Sequence, residues 1–302
     1  MMNVKLEEIN YKGFGNCLRI SNEEVELYIT LDMGPRIIRY SFIGGENEFC
    51  EDNPTTMNVF GEQWYLLGGH RLWHSPEENP RTYIPDNKEV KWTKSGNGVV
   101  LESEVEPWTQ IKKEVEIILG DSGSNVKIIH RLTNKNAWDI QLAAWALTVM
   151  APGGVEVIAQ PKRNTGLLPN RVLALWPYSK MNDSRVYFGD KYIILKQDKD
   201  IKEAFKLGIP NEDGWAAYFN HNNMFIKKFK HNKIEQYPDF GVSYETYTNE
   251  FMTEMETLSP LTTLHPNEVL THIERWELVK NVSFPGCNEE EIDKIVSREI
   301  TY

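Results

Sequence analysis

The sequence predicts an all-β protein, a large antiparallel β-sandwich closed by one short C-terminal helix. Three observations predict it. Apolar and polar residues alternate with period 2 in run after run, the pattern of strands with one buried face. The strands follow one another without intervening helices, which excludes the βαβ alternation of a parallel sheet. Helical spacing belongs to the end of the chain, where Ile292, Ile295, Val296 and Ile300 recur behind an Asn288 cap. The 302 residues are expected to form one unit, 1–302, because all-β sandwiches of this size fold as single domains. A chain this long buries a large core without staples.

The first strand is Glu24–Leu31, with Val25, Leu27, Ile29 and Leu31 on one face. The turn Asp32-Met33-Gly34-Pro35 leads to a second, Arg36–Phe42. Residues 51–90 show no sustained period and are rich in Pro, Asn, Gly and aromatics. An insertion of that length is usually functional, so it is read as a site-bearing loop. Alternation returns in Val99–Glu106, Ile111–Leu119 and Val126–Leu132. Gly120-Asp121-Ser122-Gly123 copies a serine-protease signature, but it lies between two alternating strands and supplies what a hairpin turn needs. Ile140–Met150 is almost wholly apolar and is expected to be buried on both faces. Residues 151–190 read as long loops. Tyr192–Lys196, Trp215–Phe219 and Met224–Phe229 are short strands, and Val242–Leu258 and Val269–Val279 are the last long ones.

Net charge is -11 and the pI about 5.2. No basic face is available for nucleic acid; Lys227-Lys228-Phe229-Lys230-His231 reads as a solvated hairpin strand. Three widely spaced cysteines, Cys17, Cys50 and Cys287, argue against a disulfide framework and for a reducing compartment. The N-terminus carries no apolar signal region and no stretch approaches a membrane span. The expectation is a cytoplasmic protein, monomer or homodimer, with a small-molecule partner and neither nucleic acid nor membrane.

Three places concentrate chemistry. Gly68-Gly-His-Arg-Leu-Trp-His-Ser-Pro-Glu77 holds two imidazoles, a guanidinium, an indole and a carboxylate. His70 and His74 have the i, i+4 spacing of zinc ligands, with Glu77 as a third, but the Gly pair and Ser75-Pro76 disfavour the helix that spacing requires. No metal and no cofactor is expected. Glu254 and Glu256 lie two apart on a strand and point to one face, where mutual repulsion raises one pKa toward that of a general acid or base; a solvated strand face is the other reading. Aromatics crowd the loops, among them Trp64, Trp73, Tyr83, Trp176 and Tyr178, and flat rings with a polar edge are what sugars stack on.

The chain resembles the galactose mutarotase-like superfamily, the aldose 1-epimerases and their relatives. Leu27–Tyr40 is similar to that family's first hairpin. His130-Arg-Leu-Thr-Asn-Lys-Asn-Ala-Trp-Asp-Ile-Gln-Leu142 is similar to the hairpin before its central strand. Glu254-Met-Glu-Thr-Leu-Ser-Pro260 resembles the strand that supplies its catalytic Glu, and His265-Pro-Asn-Glu-Val-Leu with Arg275-Trp276 its closing hairpin. The resemblance implies a large antiparallel sandwich and interconversion of sugar anomers, in which a Glu takes the anomeric proton and a His protonates the ring oxygen. Glu256 matches the base, since Thr257 follows it as in the family. The central strand departs from the pattern: it reads Ala144-Trp145-Ala146-Leu147 and holds no His. The acid is therefore expected at His70 or His74. Arg71 would orient an oxygen, Trp73 would stack on the ring, and Glu77, Arg36, Glu254 and Trp145 would complete the contacts. A non-catalytic carbohydrate-binding protein using the same cleft is the alternative, and a metal enzyme built on His70, His74 and Glu77 a third.

Overall fold

A computed structural model describes residues 4–300; residues 1–3 and 301–302, the ends of the expected unit, lie outside the described residues. Two large antiparallel sheets stack on each other, and the expected sandwich is what forms. The larger has eleven strands. At its centre Ile37–Phe42, Gly69–Ser75, Ile140–Met150, Thr253–Leu258, Tyr244–Thr248 and Phe205–Ile209 lie side by side in that order. The second sheet has ten strands, with Asn223–Phe229, Val269–Lys280, Val126–Asn134 and Ile111–Leu119 adjacent in its middle. A separate hairpin, Asn53–Val59 with Glu62–Leu67, stands apart from both.

Alternation along each strand sorts side chains between two environments. Leu27, Ile29, Leu72, Ile117, Ile128, Met255 and Trp276 meet between the sheets and form the main core. The opposite, outer face of the larger sheet carries Trp73, Trp145, Leu147, Val149 and Leu258, and Val59, Trp64 and Leu66 of the separate hairpin pack over it. Residues 142–150 of Ile140–Met150 are buried on both faces, as that almost wholly apolar run predicted, while Gln141 near its start is exposed. The helix Glu289–Glu299 starts where the sequence places it: the Asn288 side chain accepts bonds from the backbone N–H groups of Glu290 and Glu291. Its Ile292 joins Val157, Ile194, Trp215 and Ala217 of the smaller sheet. No helix among the described residues is long and apolar enough to cross a membrane.

Three expectations are corrected. Gly69–Ser75 is a central strand rather than part of a loop, and every one of its residues is buried. Polar and apolar residues both face interiors, so the contrast that reveals a strand is absent. The Gly pair opens it for steric reasons: a Cβ on Gly69, whose φ is +67°, would lie 2.4 Å from the carbonyl oxygen of Ile37, and one on Gly68 2.1 Å from that of Cys50. Val242–Leu258 is two strands, Tyr244–Thr248 and Thr253–Leu258, joined by a turn in which Asn249 Oδ1 accepts from the N–H of Phe251. Lys227 is not solvated; it is fully buried, with Nζ 3.0 Å from Glu274.

Candidate functional site

The outer face of the larger sheet gathers charged residues from neighbouring strands. The register sets Arg71 beside Leu147, Leu147 beside Glu256, and Glu256 beside Glu245. One pleat along, Glu254 pairs with Tyr247, and Tyr247 with Lys206. On the other side Trp73 pairs with Trp145. Because i and i+2 share a face, these residues point outward together, and Glu254 and Glu256 stand roughly 7 Å apart along their strand.

Lys206 sits at the middle. Its Nζ lies 2.8 Å from Glu245 Oε2 and 2.9 Å from Glu256 Oε2, and 4.7 Å above the rings of both Trp145 and Trp176. Trp145 donates its indole N–H to the same Glu256 oxygen at 2.7 Å. The other oxygens, Glu245 Oε1 and Glu256 Oε1, are buried and have no hydrogen-bond partner among the described residues. Around this floor stand Tyr83, which donates to Glu77, and Tyr178, which meets the Tyr247 ring at 6.4 Å.

The electrostatics divide the carboxylates. Burial, then the neighbouring charge of Glu256, pushes Glu254 up to about 8, with Lys206 and Arg71 pulling against them. Burial also raises Glu245, and Lys206 opposes it. Burial works against the Lys206 ammonium, but Glu245 and Glu256 outweigh it and hold its pKa well above the usual lysine range. Glu254 thus carries a proton at neutral pH, next to a carboxylate clamped by two donors.

The structure brings together Glu256, Glu254, Trp145, Trp73, Arg71 and Glu77 among the residues singled out in the sequence. Arg71 is partly committed to structure: it lies 5.2 and 5.3 Å from the Trp64 and Trp73 rings and its Nη2 donates to the carbonyls of Tyr65 and Leu66, while Nε and Nη1 are buried without a hydrogen-bond partner among the described residues. Burial and the nearby Arg36 lower its pKa to about 9. Arg36 shares the Tyr65 carbonyl and pairs with Asp86 at 2.6 Å.

His70 and His74 are not at this site. They alternate with Arg71 and Trp73, so they point to the opposite face, into the sandwich. His70 Nδ1 is 2.8 Å from the Thr148 hydroxyl and its Nε2 2.7 Å from His130 Nε2. His74 lies 3.7 Å from Glu106, which Lys113 also holds. Burial lowers both imidazole pKa values and keeps the rings neutral. The set His70, His74 and Glu77 does not converge either: four strand residues separate the histidines by ~13 Å, and Glu77 is on the exposed outer side. His70, His130 and Glu274 do place donor atoms within 4.8 Å of one another. Glu274 is already bound there by Lys227, by the Trp276 indole at 2.8 Å and by the Thr257 hydroxyl at 2.5 Å.

Sequence reasoning missed Lys206, Glu245 and Tyr247. For the last two a signal existed: once the turn at Asn249 is seen, Glu245 and Tyr247 fall opposite Glu256 and Glu254. Lys206 lies in Phe205–Ile209, a strand too short to read from its pattern.

No protein-family model matches this chain, and no curated protein does. Solved structures do. A TPR-domain containing protein from Parabacteroides distasonis superposes with a TM-score of 0.62 at 14% identity over 93% of this chain; the chain spans 51% of that protein's length. A galactose mutarotase-like protein from Lactobacillus casei matches with a TM-score of 0.52 at 11% identity, covering 87% of this chain and 100% of the other. Another from Clostridium acetobutylicum matches at 0.51 and 9%, covering 92% and 99%. Identities this low carry fold rather than activity. Two stacked antiparallel sheets and these neighbours together give the chain the galactose mutarotase-like fold.

Proposed function

We propose that the outer face of the larger sheet binds a sugar and interconverts its anomers, as a carbohydrate isomerase of the aldose 1-epimerase type. The observation that carries this reading is the state of Glu256. One of its oxygens is fixed by Lys206 and Trp145, and the other is buried without a donor. An unpaired, immobilised carboxylate oxygen is a general base awaiting its proton. Glu254, one pleat away and protonated at neutral pH, takes the acid's part that the sequence assigned to His70 or His74. A carboxyl group whose pKa its surroundings raise, beside a second one held in place by donors, is how paired acid–base chemistry is arranged. Glu256 removes the anomeric proton, Glu254 protonates the ring oxygen, and the ring opens; Trp73 and Trp145 supply the apolar floor.

Exchange spectroscopy by NMR on α and β anomers tests this. Glu256→Gln keeps shape and removes the base, so exchange above the buffer rate falls by ~10²–10⁴-fold. An unchanged rate rules out Glu256 as the base. A second reading, binding without catalysis, is supported by the Lys206 ion pair, which occupies one Glu256 oxygen. It predicts calorimetric sugar binding with no acceleration in the unaltered protein.

A further inference from the structure

We infer that the sugar bound at this site carries a protonated amine, received by the unpaired oxygens of Glu245 and Glu256 and by the aromatic rings around Lys206. This inference rests on the sugar reading above and names the substrate class.

The first argument is the balance of donors and acceptors. Glu245 and Glu256 are 1% and 0% exposed, and each leaves one oxygen with no hydrogen-bond partner among the described residues. What these two carboxyl groups lack is donors. A carboxylate or phosphate on the ligand would add acceptors and leave both oxygens unsatisfied, which is costly for buried groups. An ammonium brings three N–H donors and no acceptor.

The second argument is charge. Glu256, Glu245 and Glu77 all act on Lys206 across this face. Lys206 is the cation among them; the Arg71 guanidinium next to them binds backbone carbonyls through Nη2, and its Nε and Nη1 have no hydrogen-bond partner among the described residues. A positive ligand relieves this excess, and a negative one adds to it. The chain's net charge of -11 draws the same kind of ligand from solution.

The third argument is that the site already accommodates an ammonium. Lys206 Nζ sits between two carboxylate oxygens and over two indole faces, the surroundings used to recognise ammonium ligands. Tyr83, Tyr178 and Tyr247 also lie near Lys206, Tyr83 and Tyr247 half-buried and Tyr178 exposed.

Titration calorimetry on the full chain near pH ~6.5, where the amine is protonated, compares glucosamine, glucose, N-acetylglucosamine and glucuronate. Glucosamine is expected to bind about tenfold tighter than glucose or the N-acetyl sugar, the scale of one charge-assisted, ring-stacked contact, and glucuronate is expected to bind most weakly. Glu245→Gln should remove most of that preference. Because Glu245 is buried and that variant can misfold, Glu77→Gln at the exposed rim is the second probe, expected to lower the preference about threefold. Glucose binding as tightly as glucosamine, tighter binding of glucuronate, or a preference kept in both folded variants overturns the amine inference and leaves the sugar reading standing. Failure of all four sugars to bind overturns both.

Discussion

Replacing Lys206 by Met separates the charge at the centre of the site from its geometry. Met keeps most of the stem that lies over Trp145 and Trp176 and removes the ammonium. Glu245 and Glu256 then face each other directly across two antiparallel strands, with Cβ atoms about 5 Å apart, both buried and without a cation. At 2.8 and 2.9 Å, each contact is worth about 6 kcal/mol of attraction at an effective dielectric near 20, most of which offsets desolvation. Removing one partner of a buried pair typically costs ~3–5 kcal/mol, and that loss is expected at pH 7. The sign with pH follows from the carboxyls. Without Lys206 the folded pKa of Glu245, already raised by burial, rises further above the unfolded value near ~4.3, so the variant's deficit is small below that pH and grows as pH rises. Urea unfolding of both proteins at pH 4.5 and pH 7 measures it. A loss under about 1 kcal/mol at pH 7, or an equal loss at both pH values, refutes the charge-clamp account. Lys206→Met combined with Glu245→Gln should recover part of the loss, since one of the facing charges is gone.

Two further predictions concern stability. Glu254, raised from 4.5 to about 8, holds its proton more tightly when folded, so its contribution is complete below pH ~4.5 and is lost as pH climbs to about 8; the groups that set it are Glu256, Lys206, Arg71 and Glu77 on the same face. Glu254→Gln should therefore flatten the decline in unfolding free energy between pH 5 and 8, a difference of at most ~5 kcal/mol, and an unaltered pH profile would contradict the assignment. Gly69→Ala places a Cβ against the Ile37 carbonyl at a φ of +67° and should cost about 2 kcal/mol or more; a midpoint in urea within error of the unaltered protein would show that the strands can separate there.

How much was legible depends on what each residue faces. Strands with one wet and one dry face announce themselves, which is why Val126–Leu132 and Ile111–Leu119 were readable from alternation alone. Gly69–Ser75 was not, because His70 and His74 face one interior while Arg71 and Trp73 face another, and all are buried. The same doubling separates His70 and His74 from the face that holds Glu254 and Glu256. A histidine and an arginine adjacent in sequence read as one site, but on a strand they are on opposite sides of a sheet. Glu254 and Glu256 were legible because spacing two is unambiguous on any strand. Lys206 and Lys227 were not, since nothing local distinguishes a lysine bound for a buried carboxylate from one bound for water; only their partners, 39 and 47 residues or more along the chain in Glu245 and Glu274, decide it.

The polar band inside the sandwich has a bearing on the outer face. His130, His272, Glu274 and Lys227 belong to the smaller sheet, and they bond to His70, to the Thr257 hydroxyl and to the carbonyl of Met255 on the larger one. Greasy contacts tolerate sliding; hydrogen bonds between named atoms do not. These bonds therefore act as rivets that fix the alignment of one sheet on the other. Thr257 and Met255 flank Glu256 on its own strand, so the rivets also set where that carboxylate projects on the far side. Reshaping the interior at His130 or Glu274 is thus a way to move the site without touching any residue that lines it.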